Sequence, residues 1–65
     1  MSVPTRNEIR QGALVNIVLK EDQRSGKLTQ GNVQTLLTKS PNHPHGIKVR
    51  LESGEVGRVQ SLVND

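Results

Sequence analysis

The chain has 65 residues, which is enough for one small domain spanning residues 1–65. It contains no Cys, so disulfides, thiolate zinc sites and thiol catalysis are excluded, and it contains no Phe, Trp or Tyr, which removes the side chains on which most single-strand binders stack bases. Nine Lys and Arg against six Asp and Glu leave a net charge of +3, which favours partners that carry negative charge.

The first predicted elements are a short helical turn and a strand. Residues 5–8 (Thr-Arg-Asn-Glu) have the spacing of a capping box, which predicts one or two helical turns over about residues 6–11. Residues 1–5 before it are expected to be disordered. Residues 13–20 are rich in Val, Ile and Leu and predict the first strand. Val15, Ile17 and Leu19 form one face of this strand, and Leu14 and Val18 share the other face with Asn16. Apolar residues on both faces predict a central or barrel strand rather than an edge strand.

A polar loop over residues 21–27 leads to a second predicted strand over about residues 28–38. Gly31 is expected to mark a bend or a bulge that lets this strand pair with two neighbours. Strict alternation predicts an inner face formed by Val33, Thr35 and Leu37, with Leu36 on the opposite face.

The second half of the chain predicts a stiff loop followed by a hairpin. The loop over residues 39–46 carries two prolines and ends at Gly46, where we expect a positive φ. Residues 47–51 alternate apolar and basic side chains as a third strand, and residues 53–54 (Ser-Gly) turn the chain into a fourth strand over 56–60. A bulge is expected near Gly57, with Val56 and Val59 both packing inward and residues 61–65 forming a short tail.

These elements predict an all-β fold: a small five-stranded antiparallel SH3-like barrel with a short N-terminal helical turn. The fifth strand in this prediction is a closing element in addition to the four strands identified above. The strand lengths suit this barrel better than an OB-fold, which usually needs more residues.

Positive charge is concentrated in the middle of the chain. No acidic residue lies between positions 23 and 51, although this segment holds five Lys or Arg and both His. We therefore predict a nucleic-acid-binding surface centred on Lys48, Arg50 and Arg58, with Arg24, Lys27 and Lys39 at its rim. Without aromatic side chains, it is expected to contact phosphate and shape, as in structured RNA or another polyanion, rather than sequence. The alternative is an ordinary solvated strand face.

The loop formed by His43, Pro44, His45 and Gly46 is the second candidate feature. Two imidazoles one residue apart suit zinc, copper or nickel, but a site requires at least a third ligand. The alternative is a proline-stiffened loop whose histidines hydrogen-bond the backbone or contact a phosphate. We expect this second role, with no metal and no cofactor. No acid lies beside either histidine in sequence and the serines occupy turns, so no catalytic residue is predicted and the chain is not expected to be an enzyme.

Several segments resemble the YwbE-like family. They are residues 18–29 (VLKEDQRSGKLT), 36–38 (LLT), 43–51 (HPHGIKVRL) and 57–59 (GRV). The similarity covers positions 9–59, and the HPHGIKVRL segment is specific. The resemblance implies a small, mostly bacterial protein and brings with it no settled activity, substrate or catalytic residue. At fold level only, the glycine-punctuated barrel is similar to KOW-type and SH3-like modules of ribosomal and transcription proteins.

The expected function is a non-catalytic RNA-binding or ribosome-associated accessory module. A protein-interaction module is the alternative, and metal binding through His43 and His45 is a third possibility. The polar N-terminal residues do not resemble a signal peptide and no long apolar run follows them, so a cytoplasmic location without a membrane partner is expected. The oligomeric state stays open.

Overall fold

The computed structural model describes residues 3–63 and has four strands. In chain order the elements are a 3-10 turn at Arg6–Glu8, β1 at Leu14–Leu19, a second 3-10 turn at Lys20–Asp22, β2 at Thr29–Leu36, β3 at Lys48–Leu51 and β4 at Val56–Leu62. Each strand pairs antiparallel with the next, and β4 returns to pair with β1. The all-β, small, closed antiparallel barrel is therefore confirmed.

The prediction of five strands is wrong, because β4 closes the barrel itself. Asn16 pairs with Ser61 and Ile17 pairs with Val59, which leaves Gln60 as the extra residue of a bulge. A bulge bends its strand, so β4 can pair with β3 near its start and with β1 along most of its length. The predicted tail is in part strand, since β4 extends to Leu62.

Because of a second bulge, the side chains at the end of β2 lie on the opposite faces of the sheet from those predicted. Val33 pairs with Leu51 and Thr35 pairs with Arg50, so the extra residue lies between Val33 and Thr35. One added residue moves every later side chain to the other face. Val33 is buried as predicted, but Leu36 packs against the core and Leu37 is 37% exposed.

Gly31 and Gly57 both lie in regular pairing. The bulge predicted near Gly57 is therefore wrong, and of the two alternatives given for Gly31, a bend or a bulge, the bulge is excluded. Gly57 is instead required by a close approach of two strands: a Cβ atom there would lie 2.5 Å from the carbonyl oxygen of Val18. Val56 is half-buried opposite Arg50 rather than packed inward.

The core is aliphatic and has contributions from every strand. Its fully buried strand residues follow the predicted alternation in β1 and β3, including Ile47 just before β3. Ile9 also reaches the core, with 2% of its surface exposed. The buried set is Ile9, Val15, Ile17, Val33, Ile47, Val49, Leu51 and Val59. No buried polar side-chain atom among residues 3–63 lacks a hydrogen-bond partner.

The N-terminal segment begins with the predicted capping box. The backbone N–H of Thr5 donates to the Glu8 carboxylate at 2.9 Å, but the helical structure is one 3-10 turn and ends at Glu8. Residues 1–2, part of the segment predicted to be disordered, lie outside the described residues. Across the part of the chain that the structure describes, no helix is long and apolar enough to cross a membrane.

Candidate nucleic-acid interface

The outer faces of β3 and β4 bring three of the predicted cationic side chains together. Lys48 pairs directly with Arg58, and Arg50 pairs with Val56 on the same outer face. Side chains opposite one another on antiparallel strands have Cβ atoms about 4.5–5.5 Å apart. Lys48 and Arg50 are exposed and Arg58 is half-buried. The structure therefore places the central residues of the predicted surface on one face.

A shallow depression of about 410 Å³ adds a fourth cation to this face. It is lined by Lys20, Lys48 and Arg58 among others. Lys20 was missed by the sequence-based prediction, although a signal was present: it lies two residues after Val18, so an extended chain places both on the same face. We define the basic face as Lys20, Lys48, Arg50 and Arg58.

A larger groove of about 680 Å³ adjoins the basic face. Val18 and Arg58 are cross-strand partners and line the groove together with Gln60. The loop after β1 contributes a further set of lining residues: Gln23, Gly26 and Leu28. The histidine loop contributes Pro44 and His45. The two depressions share Val18, Gln23 and Arg58, so they are adjacent.

The histidine loop, residues 43–46, is a tight turn fixed to β4. The N–H of Gly46 donates to the carbonyl of His43 at 3.0 Å, and Pro44 occupies the second position, where proline is favoured. Gly46 has φ +103°, which confirms the predicted positive φ. Arg58 Nη1 donates to the Gly46 carbonyl and Gln60 Nε2 to the His45 carbonyl, each at 3.0 Å. Arg58 therefore belongs both to the basic face and to the support of the loop.

The histidine loop is the second half of the connection between β2 and β3, and the first half of that connection is hydrogen-bonded to the N-terminal segment. Arg6 donates from its backbone N–H to the carbonyl of Pro41 at 2.9 Å and from Nε to the carbonyl of Thr38 at 3.0 Å. The Thr38 hydroxyl accepts the backbone N–H of Lys48 at 2.8 Å. The connection between β2 and β3 is therefore hydrogen-bonded to the rest of the barrel at both ends.

His43 accepts a hydrogen bond that only its neutral form can accept. The backbone N–H of His45 donates to His43 Nδ1 at 3.1 Å, and the two rings lie 5.8 Å apart, centroid to centroid. Partial burial lowers the pKa of His43 below its ordinary value of 6.5, and the positive charges of Arg58 and His45 lower it further. The resulting contribution to stability is present above pH 6.5 and is lost as the pH falls through the lowered pKa.

Comparison with known proteins places the chain in a family. Residues 2–62 match the family model described as "Uncharacterized conserved protein (DUF2196)". The chain belongs to this family. The "Uncharacterized protein YwbE" of Bacillus subtilis (strain 168) is 58% identical over 64 residues, which are 98% of this chain and 98% of that protein. The resemblance to the YwbE-like family is thereby confirmed. No solved structure gives a significant match.

The remaining predicted cations of this YwbE-like chain lie outside the two depressions. Arg24 and Lys27 are exposed in the loop after β1, whose neighbouring residues line the groove. Lys39 is exposed beyond the end of β2 and lines neither depression. The structure therefore groups Lys48, Arg50 and Arg58 with Lys20 and separates Lys39 from them.

A metal at His43 and His45 would require a third protein ligand. Among residues 3–63, no group of three or more His, Cys, Asp or Glu side chains is placed to hold a metal ion. Glu55, one of the two nearest acids in sequence, instead accepts a hydrogen bond from the hydroxyl of Ser53. The described contacts of His43 are those of a residue that shapes its own turn.

Proposed function

We propose that this member of the YwbE-like family is a non-catalytic RNA-binding accessory module that contacts the phosphates of structured RNA through its basic face. The observation that carries the proposal is the direct pairing of Lys48 with Arg58, with Lys20 lining the same depression. Ribosome association and the likeness to SH3-like barrels, a fold that hosts many functions, are parts of the same proposal.

Like charges opposite one another on neighbouring strands destabilise a sheet. A phosphate between Lys48 and Arg58 would replace that repulsion with two favourable interactions. Binding is therefore expected to remove an electrostatic repulsion that destabilises the unbound protein. Arg58 is suited to this role because a guanidinium has five N–H donors and the bond to Gly46 orients it while using one of them.

Phosphate contacts position a protein on RNA without reading its bases. The basic face offers cationic side chains on a barrel whose extents are 27 × 24 × 23 Å, which limits it to a few phosphates at once. With three or four phosphate contacts, the logarithm of the binding constant is expected to fall with the logarithm of salt concentration with a slope of about −2 to −4. A protein partner bound through an apolar interface would show almost no such slope.

The test is RNA binding by fluorescence anisotropy, using a labelled RNA hairpin. Lys48→Glu with Arg50→Glu changes the net charge from +3 to −1, because two cations are lost and two anions gained. Affinity is expected to fall at least about ten-fold.

The matched control is Arg10→Glu with Lys39→Glu, which makes the same change in net charge at exposed positions outside both depressions. This control is expected to stay within about three-fold of the wild-type affinity once salt screens distant charges. Equal losses in both variants would show that only net charge matters and would contradict the assignment of the face. Absence of RNA binding by the wild-type chain, with binding to a protein partner, would favour the alternative.

A further inference from the structure

The groove beside the basic face has apolar side chains in its lining, which contacts to phosphate do not require. Its apolar lining consists of Val18, Leu28 and Pro44, and Leu28 is 48% exposed although it is a large apolar side chain. Its polar lining includes His45 and the amide of Gln23. A groove with apolar walls and a few polar groups is typical of a site for a small organic ligand or for part of a larger one.

The size of the groove and its position limit what it can hold. Its volume of about 680 Å³ lies within the range of about 300–1,000 Å³ that such sites have, and is too small for a double helix. It is adjacent to the depression lined by Lys20 and Lys48, because Arg58 lines both. A nucleotide whose phosphate lies on Arg58 therefore has the groove within reach of its own base.

We propose that the groove holds one unpaired nucleotide of the bound RNA, with the base against His45 and Leu28 and its phosphate at Arg58. This inference rests on the proposed function and narrows it from structured RNA in general to RNA with a bulged or looped nucleotide. Imidazole rings and guanidinium planes both stack on bases, so the site needs no Phe, Trp or Tyr. The amide of Gln23 offers a donor and an acceptor to the edge of the base.

The barrel supports this use of His45. Its carbonyl is held by Gln60 and its N–H by His43, while its side chain is exposed and lines the groove. The backbone of the residue is therefore fixed and the ring remains available to a ligand. The absence of aromatic residues had predicted a surface that contacts phosphate and shape alone, and the groove adds a contact to a base.

The experiment compares two RNA duplexes by fluorescence anisotropy. Both carry a one-nucleotide bulge, but in one of them the bulged nucleotide is abasic, so the two RNAs have the same number of phosphates. Stacking of one base changes affinity by roughly ten-fold in proteins that bind unpaired bases. The wild-type chain is expected to bind the RNA with the bulged base about ten-fold more tightly than the abasic RNA.

Two variants test the assignment of the site. His45→Ala removes the ring and leaves the backbone bonds of the loop, and Leu28→Ser alters the apolar lining of the groove at an exposed position. Each is expected to reduce the ten-fold preference to less than about three-fold, with little change for the abasic RNA. If the wild-type chain binds both RNAs equally, or both variants keep the preference, the nucleotide site is refuted and phosphate binding stands. If it binds neither RNA, the proposed function fails as well.

Discussion

Replacing Gly46 by Ala tests how closely the histidine loop packs against β4. Gly46 and Gly54 have nearly the same φ, +103° and +101°. A Cβ atom at Gly54 would have nothing within 4 Å, whereas a Cβ atom at Gly46 would overlap the backbone carbonyl of Val59. Replacing each by Ala therefore imposes the same backbone strain but adds a steric clash only at Gly46.

The expected losses follow from these two contributions. A positive φ costs an L-residue about 1–2 kcal/mol, which both variants carry. Overpacking against a fixed neighbour adds about 1–3 kcal/mol. Gly54→Ala should therefore lower the free energy of unfolding by about 1–2 kcal/mol and Gly46→Ala by about 2–5 kcal/mol. A domain of this length has a total stability of roughly 3–10 kcal/mol, so the Gly46 variant should lose a large part of it.

Urea unfolding followed by far-UV circular dichroism measures both losses, provided that the slope with urea is the same for all three proteins. Because the carbonyl of Gly46 accepts the bond from Arg58, the Gly46 variant should also bind RNA more weakly, and the Gly54 variant should not. Equal loss of stability in the two variants would refute the reasoning, since it would mean that the loop moves away from Val59 without cost.

Three further predictions concern His43, Arg58 and the core. The wild-type chain should lose stability as the pH falls below 6.5, because unfolding allows His43 to take up a proton. His43→Asn keeps an acceptor for the N–H of His45 without titrating, so its free energy of unfolding in urea should vary less between pH 7 and pH 5 than that of the wild type. Identical pH profiles of the two proteins would contradict the role of His43. Arg58→Lys keeps the charge but loses the planar guanidinium that donates to the Gly46 carbonyl. Amide hydrogen exchange at Gly46 should therefore become faster, while the salt dependence of RNA binding stays the same. Unchanged exchange would argue against the hydrogen bond from Arg58 to the loop. Ile17→Val removes one buried methylene and should cost about 0.5–1.5 kcal/mol in urea unfolding, and no loss would place Ile17 outside the core.

Alternation predicted the core where the strands are regular. In β1 and β3 every second residue is apolar, and the structure buries Val15, Ile17, Val49 and Leu51 as expected. The prediction failed at the bulges, because the extra residues, Gln34 and Gln60, are polar and look like ordinary outward-facing positions in the apolar pattern. Gln60 illustrates this: nothing in its type distinguishes a bulge from the end of a strand, so the predicted fourth strand ended there although β4 continues to Leu62.

The candidate site was predictable in its centre and not at its edges. Lys48 and Arg58 lie on a hairpin, whose register follows from its short turn, so their proximity could be inferred from sequence. The groove is formed by the loop after β1 and the histidine loop, which come from distant parts of the chain. Only closure of β4 onto β1 brings Val18 next to Arg58, and no local pattern encodes that contact.

That closure also constrains when the barrel can fold. Val15 in β1 pairs with Leu62 in β4, so the seam that completes the sheet joins residues far apart along the chain. Contacts of this kind form slowly, because the intervening chain must be ordered before they are gained. A chain still being synthesised on the ribosome exposes the free edge of β1 until β4 has emerged, and such an edge can pair with other molecules. Of the four described strands, β4 is thus synthesised last, and it covers the edge of β1, which is synthesised first.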